Sequence, residues 1–150
     1  DEGPTYGQVT YDMQGDEDKF VLCERLSVLG ANLLFDLLPG IIEGSVTAKP
    51  QQNTSVTYTT LISKKDGIVD PTTETAQMKH RKVRAHLGFP KSKLHYKSAD
   101  VIITSAKPVE TMTDRDFCLP CADNTALLVE TLVAPNGKTM SGDAYLRGLR

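Results

Sequence analysis

The sequence predicts an α+β protein in which an antiparallel β-barrel with helices follows a shorter strand-and-helix segment. Three observations lead there. Leucines recur at intervals of three and four between Leu22 and Leu37, a basic helical stretch follows Thr72 and Thr73, and several short β-rich runs separated by turn residues follow Pro90.

Taken in order, Gln8 to Met13 alternates Val9, Tyr11 and Met13 with Thr10 and Asp12, which predicts a strand exposed on one face. Leu22, Leu26, Leu29, Leu33 and Leu37 then share one stripe of a helix predicted from Lys19 to Leu38. Asp16, Glu17 and Asp18 precede it, where carboxylates cap and complement the positive helix end. Pro39-Gly40 is expected to interrupt the helix, with Ile41-Ile42 beginning a further turn. A single six-residue strand cannot cover this stripe, and each large apolar side chain gains about 1.5–3 kcal/mol on full burial. Residues 1–48 are therefore expected to be the tail of a larger domain; docking onto the second half of the chain or onto a second copy is the alternative.

From Val46 to Thr60 the composition shifts to Thr, Ser, Gln, Asn and Pro, which marks residues 49–60 as a linker, ending in an extended Val56–Ile62. Residues 61–150 form the second domain. Thr72 or Thr73 caps a helix running to Leu87, with Met78, Val83 and Leu87 inward and Lys79, Lys82 and Arg84 outward. Leu94–Tyr96, Val101–Thr104, Asp116–Leu119 and Ala126–Val133 read as strands, with turns at Ala122-Asp-Asn124 and Pro135-Asn-Gly137. Such a succession suggests a small antiparallel barrel. Ser141 caps a last helix carrying Tyr145, Leu146 and Leu149.

A chain of 150 residues with 39% hydrophobic and 24% charged residues has globular character and room for one full domain plus a fragment. No apolar run is long enough to span a bilayer, and no leader pattern opens the chain, so a cytoplasmic protein without a membrane partner is expected. The start at Asp1 in place of Met suggests a processed product or a fragment. The three cysteines cannot all pair, which fits a reducing compartment. Cys118-Leu-Pro-Cys121 has CxxC spacing, but a structural zinc site needs four ligands and there is no second pair. His80, His86 and His95 lie in a basic segment that repels cations, so no metal is expected and the two cysteines read as small buried residues at a strand edge. Phosphate-loop, Gly-x-Ser-x-Gly and His-Glu-x-x-His patterns are missing.

Charge is the most uneven feature of the chain. Seven Lys or Arg residues and no carboxylate fall between Lys79 and Lys97. The total is 17 basic against 19 acidic residues, so the rest of the chain carries ten against 19. A polyanion is the partner such asymmetry points to.

The same stretch carries a resemblance. Lys65-Asp-Gly-Ile-Val-Asp70, Arg84-Ala-His-Leu-Gly-Phe-Pro-Lys-Ser92 and Gly137-Lys-Thr-Met-Ser-Gly-Asp-Ala-Tyr-Leu-Arg-Gly148 occur in this order. Together they resemble the C-terminal part of the methionyl-tRNA formyltransferase family. Leu29-Gly-Ala-Asn-Leu-Leu34, Leu38-Pro-Gly-Ile-Ile-Glu-Gly44 and Lys49-Pro-Gln51 resemble the end of that family's catalytic domain and its linker. One departure is Pro71, where the family usually has an aromatic residue after the Asp-Gly-Ile-x-Asp motif.

The resemblance implies that the barrel is OB-like and that residues 1–48 end a truncated Rossmann-like formyltransferase domain. It implies transfer of a formyl group from 10-formyltetrahydrofolate to the amino group of initiator methionyl-tRNA, with the folate held mainly by an upstream domain. Formyl transfer needs a proton acceptor for the amine and donors for an oxyanion, which the family supplies with an Asn, a His and an Asp. Asp1-Glu2-Gly3 fits the family's Asp-x-Gly loop, so Asp1 would be the catalytic Asp. The Asn and His would lie upstream, none of the three histidines matches them, and the chain alone is expected to be inactive. For phosphate contacts to tRNA the resemblance selects Lys79, Arg81, Lys82, Arg84, Lys91 and Lys93. Two other readings stand beside it: a fragment of a sugar-nucleotide formyltransferase, and a stand-alone RNA-binding barrel.

Overall fold

The computed structural model describes residues 2–52, 56–70, 72–113 and 116–149. The chain divides into two compact units, residues 1–60 and 61–150. Among the described residues no helix is long and apolar enough to cross a membrane.

The first unit is built on α1, Lys19–Ile42. Asp18 is its N-cap, its carboxylate accepting from the amides of Phe20 at 2.8 Å and Val21 at 2.9 Å. The helix is not interrupted at Pro39-Gly40 but runs through them. Within its last turns Pro39 removes only the bond to the carbonyl of Phe35, and the helix ends instead at its C-cap Glu43, whose amide bonds the Pro39 carbonyl at 3.0 Å. Leu22, Leu29, Leu33 and Leu37 of the predicted stripe are half-buried, whereas Leu26 is exposed. No residue of α1 is fully buried, and Phe35 and Ile42 are 79% and 77% exposed.

The strand expected over Gln8–Met13 is absent; the only pairing in this unit among the described residues is an isolated antiparallel bridge between Thr5 and Lys49. A side chain captures the backbone donors there. Glu17, 6% exposed, accepts from the Tyr11 hydroxyl at 2.7 Å, from the amides of Gln14 and Gly15 at 2.9 Å each, and from Arg25 Nη1 at 3.0 Å. The segment thus closes as a loop around a carboxylate where a ladder partner is missing.

The second unit packs two helices and a short 3₁₀ turn against a five-stranded antiparallel sheet curled as a half-barrel. The strands are β1 (Ser92–Tyr96), β2 (Ala99–Val109), β3 (Cys118–Pro120), β4 (Ala126–Val133) and β5 (Thr139–Ser141). Their order is β1-β2-β4-β3, and β5 pairs with β4 beyond the end of β3. The four strands read from the sequence lie on β1 to β4; β5 is too short to show an alternation. Two register shifts in β2·β4 lie around Thr104 and Ser105, bulges that help a sheet to curve.

Inward residues of the strands, including Val101, Ile103, Leu127, Val129 and Leu132, form the core with Phe117 and Tyr145. Phe117 lies with its ring centroid 4.6 Å from that of Tyr96 and 6.0 Å from that of Tyr145, within the range of favourable aromatic pairs. The last helix, α3 (Gly142–Arg147), starts at Ser141, whose Oγ accepts from the Ala144 amide at 3.3 Å, as the sequence indicated. Its first residue has to be small, since a Cβ on Gly142 would stand 2.2 Å from the Val129 carbonyl oxygen.

The helix α2 spans Ala76–Ala85 and is capped by Thr75, not by Thr72 or Thr73. The buried face of the helix also differs from expectation. Val83 is buried as predicted, but Met78 is exposed and Lys79, expected outward, is only 2% exposed. Lys79 Nζ donates to the Glu74 carbonyl, which satisfies part of a buried ammonium. The Ser63–Gly67 segment makes a reciprocal cap, the Ser63 amide donating to Asp66 Oδ2 at 2.6 Å around the 3₁₀ turn Lys64–Gly67. Gly67 is buried beneath the next motif, for a Cβ there would lie 2.1 Å from the Lys91 carbonyl oxygen.

Two consequences follow for stability. Gly67→Ala forces backbone against backbone, and urea unfolding should register a loss of about 1–3 kcal/mol or more; a change within 0.5 kcal/mol would contradict the close approach. The Glu17 carboxyl is lowered from 4.5 to about 2, first by the Gln14 amide and then by the Tyr11 hydroxyl. A carboxylate with a depressed folded value stabilises above its unfolded value and loses that contribution as pH falls through the folded one. Thermal stability of the first unit should therefore fall between about pH 4.5 and about 2. In Glu17→Gln this part of the pH dependence should vanish, and an unaltered pH profile of the melting temperature would refute the clamp.

Candidate nucleic-acid interface

The basic segment is carried by three successive pieces of the second unit: α2, the turn from His86 to Lys91, and β1. The turn is held by the Lys91 amide donating to the His86 carbonyl at 3.0 Å, contains a cis Phe89–Pro90 peptide, and has Gly88 and Lys91 at φ 79° and 71°. From it the chain enters β1, where pleating sends Ser92 and Leu94 inward and Lys93 and His95 to solvent. The Val69 amide bonds the Lys93 carbonyl at 2.8 Å, so the Lys65–Asp70 and Arg84–Ser92 motifs meet at this point.

The six predicted phosphate contacts fare differently. Arg81, Lys91 and Lys93 are exposed, and Lys82 and Arg84 are half-buried. Lys79 is inside and cannot present its charge to a polyanion, because its spacing of three and four from Ala76 and Val83 places it on their side of α2. The 3–4 spacing of Ala76, Lys79 or His80, Val83 and Leu87 is the signal that could have shown this. Lys82 pairs with Glu74. Lys93 Nζ lies 2.6 Å from Asp100, and His95 Nδ1 is 2.8 Å from the other oxygen of the same carboxylate. Lys93, followed by His95, holds that carboxyl below the usual range. Arg81 and Lys91 enter no ion pair among the described residues. Outside the predicted set, Lys97 is exposed with Nζ 5.9 Å from the Tyr96 ring centroid, and Lys64 and Lys65 are exposed on the 3₁₀ turn.

Behind this surface, His80 is held below its ordinary value by burial and then by Arg84. Ser105 donates to Glu130 at 2.8 Å and Lys107 lies 3.0 Å from the same carboxylate, which keeps it ionised on the sheet. The cysteines do not form a chelate. Leu119 and Cys121 point to the core, and the alternation of an extended strand sends Cys118 the other way. Burial pushes both thiols up, and among the described residues no group of three or more His, Cys, Asp or Glu could hold a metal ion.

Asp1, the catalytic position implied by the resemblance, lies outside the described residues, as does Pro71. The cavities lined by Phe35, Leu38, Pro39, Ile42 and Glu43, and by Ala99, Ala134, Met140, Tyr145 and their neighbours, are largely apolar. Neither offers the converging donors and acceptors that a pterin ring requires, so these residues do not fit a folate.

Comparison with known proteins gives these features a setting. Methionyl-tRNA formyltransferase of Roseiflexus sp. (strain RS-1) is 28% identical over 160 residues, an alignment that takes in 100% of this chain and 49% of that protein. Methionyl-tRNA formyltransferase of Halorhodospira halophila is 33% identical over 107 residues, 71% of this chain and 34% of that protein. The chain spans about half the length of the first of these relatives. Among solved structures, a HypX variant from Aquifex aeolicus superimposes with a TM-score of 0.70 at 15% identity, over 99% of this chain and 29% of that one. HypX from the same organism in complex with tetrahydrofolic acid gives 0.66 over 98% of this chain and 28% of that one, also at 15% identity. At that identity the likeness is one of fold. Residues 61–150, the whole of the second compact unit, match the formyl transferase C-terminal domain, and the chain belongs to that family.

Proposed function

We propose that this chain is the C-terminal half of a cytoplasmic methionyl-tRNA formyltransferase and that its second unit, an OB-like domain, binds the tRNA. The observation that carries the reading is the carboxylate-free stretch from α2 through the following turn, with Arg81 of the helix and Lys91 of the turn exposed, on a domain of the formyl transferase family. Lys93, Lys82 and Arg84 flank it as further phosphate contacts, the first two after exchanging Asp100 and Glu74 for phosphate. Such contacts position a nucleic acid without reading its sequence. Residues 1–48 are the tail of the catalytic domain, joined by a 49–60 linker; the outward apolar side chains Phe35, Leu38 and Ile42 of α1 are what its remaining strands and helices would cover. In the intact enzyme 10-formyltetrahydrofolate supplies the formyl group, held by that domain, and initiator methionyl-tRNA accepts it on its amino group.

Binding of initiator tRNA to the 150-residue chain should weaken by orders of magnitude between about 50 and 200 mM salt if five or so cations neutralise phosphates. Arg81→Glu combined with Lys91→Glu should lower affinity at least about tenfold and flatten the salt slope, with the melting temperature retained. Equal affinity of this variant and the parent in a filter-binding titration would remove α2 and the turn from the interface. Lys79→Glu is unsuitable for this purpose, since a carboxylate at a 2% exposed position disrupts the core before it reports on binding. The chain by itself should transfer no formyl group to initiator methionyl-tRNA; turnover by residues 1–150 would show that the catalytic groups are all within them.

A further inference from the structure

Lys93 and His95 stand two residues apart on β1, and pleating turns both to the solvent side, about 6.5–7 Å from each other along the strand. Asp100 of β2 is the direct partner of His95 and the diagonal neighbour of Lys93, whose own partner is Ile102. One oxygen of its carboxylate takes Lys93 Nζ at 2.6 Å, and the other takes His95 Nδ1 at 2.8 Å. A carboxylate only accepts, so Nδ1 is the donor. Two donors of one strand thus converge on a single anion, one on each oxygen. The side chains of Lys93, His95 and Asp100 are 54%, 69% and 45% exposed, which leaves the arrangement open to an anion from solution. Lys91 and Lys97, also exposed, bracket β1 at φ 71° and 54°, a region that side chains rarely adopt and that recurs at ligand clamps.

We propose that Lys93 Nζ and His95 Nδ1 form a two-donor seat for one backbone phosphate of the bound RNA, and that Asp100 is a built-in stand-in for that phosphate, filling the seat until RNA displaces it. A phosphodiester carries one negative charge and two free oxygens, as a carboxylate does, and charged donors of the same kind bind both. Asp100 is tethered on the neighbouring strand and so acts at a high effective concentration, against which a single free anion competes poorly. An RNA strand already held at Arg81 and Lys91 delivers its next phosphates at a high effective concentration of its own, and Asp100 turns out to water. The seat therefore favours a long polyanion over a small one. The two contacts that break are exposed and weak, so the exchange is shallow enough to run in both directions. The proposal rests on the tRNA-binding reading and adds to it a second donor, His95, and an internal competitor.

The test is a filter-binding titration of initiator tRNA with the 150-residue chain and its Asp100→Asn variant at one salt concentration. Release of the two donors should raise affinity about threefold to tenfold, the worth of two exposed ion contacts. Glu110→Gln removes the same charge from an exposed residue just past the far end of β2, and should change affinity less than about twofold through the screened field alone. In a chain carrying Lys93→Ala and His95→Ala, Asp100→Asn should add no more than Glu110→Gln does, because the seat is gone. Asp100→Ser serves in place of Asp100→Asn if the latter lowers the melting temperature. Equal effects of Asp100→Asn and Glu110→Gln, or the same gain with and without the two donors, would overturn the proposal. Inorganic phosphate is titrated in parallel by amide NMR and should shift Lys93 and His95 in the Asp100→Asn chain but not in the parent. Shifts of equal size in both chains, or in neither, also count against it. Tight tRNA binding that ignores Asp100 removes the seat and leaves the tRNA reading, whereas phosphate seated in the variant without tRNA binding to either chain keeps the seat and removes that reading.

Discussion

The close approach of two stretches of main chain, Gly67 beneath the Pro90–Lys91 backbone, is the constraint on which the second unit's surface depends. It leaves no room for a side chain, and it holds the 3₁₀ turn against the entry to β1. The Val69–Lys93 hydrogen bond continues the same contact two residues further on. The turn carrying Lys91 is therefore fixed from below by a glycine and from the side by a strand-like bond. A cation on a turn so fixed loses less conformational freedom on binding than one on a mobile loop, which lowers the entropic cost of association.

Electrostatics works on this frame at short range. Lys82, Lys93 and Lys107 each have a carboxylate neighbour, so a good part of the positive charge in and behind the basic segment is already partnered. Exposed pairs of this kind contribute roughly 0–1 kcal/mol to stability. They can be exchanged for phosphate at small expense. Arg81 and Lys91 keep their full field, and the acidic remainder of the chain discourages polyanions elsewhere.

Much of this was legible in the sequence, for reasons that differ by element. β1 to β4 show the alternation that a half-buried strand imposes, and Ser141 announces α3 because capping is a local event. What failed depends on a few competing bonds. Gln8–Met13 has the alternation of a strand but no neighbour to pair with in the first unit, and Glu17 takes the donors of the following turn. Pro39 sits where a helix loses little by it. Lys79 was misplaced because its charge was weighed above its spacing: it stands three residues after Ala76 and four before Val83, on their stripe of the helix whichever threonine caps it. Of the binding surface, the charge cluster was visible. The convergence of Lys93 and His95 on Asp100 was not, since it joins β1 to β2 in a register that only the fold creates.

The bond from Val69 to the Lys93 carbonyl has a further effect on how the protein behaves in company. β1 is the outermost strand on its side of the sheet, and an outermost strand offers its unpaired backbone to any similar strand that drifts past. Here the Ile68–Lys93 bridge occupies part of that border, while Lys93 and His95 stand along it with polar side chains. A concentrated population of these molecules, as during synthesis on many ribosomes at once, is thereby deterred from joining edge to edge along β1 into insoluble fibres.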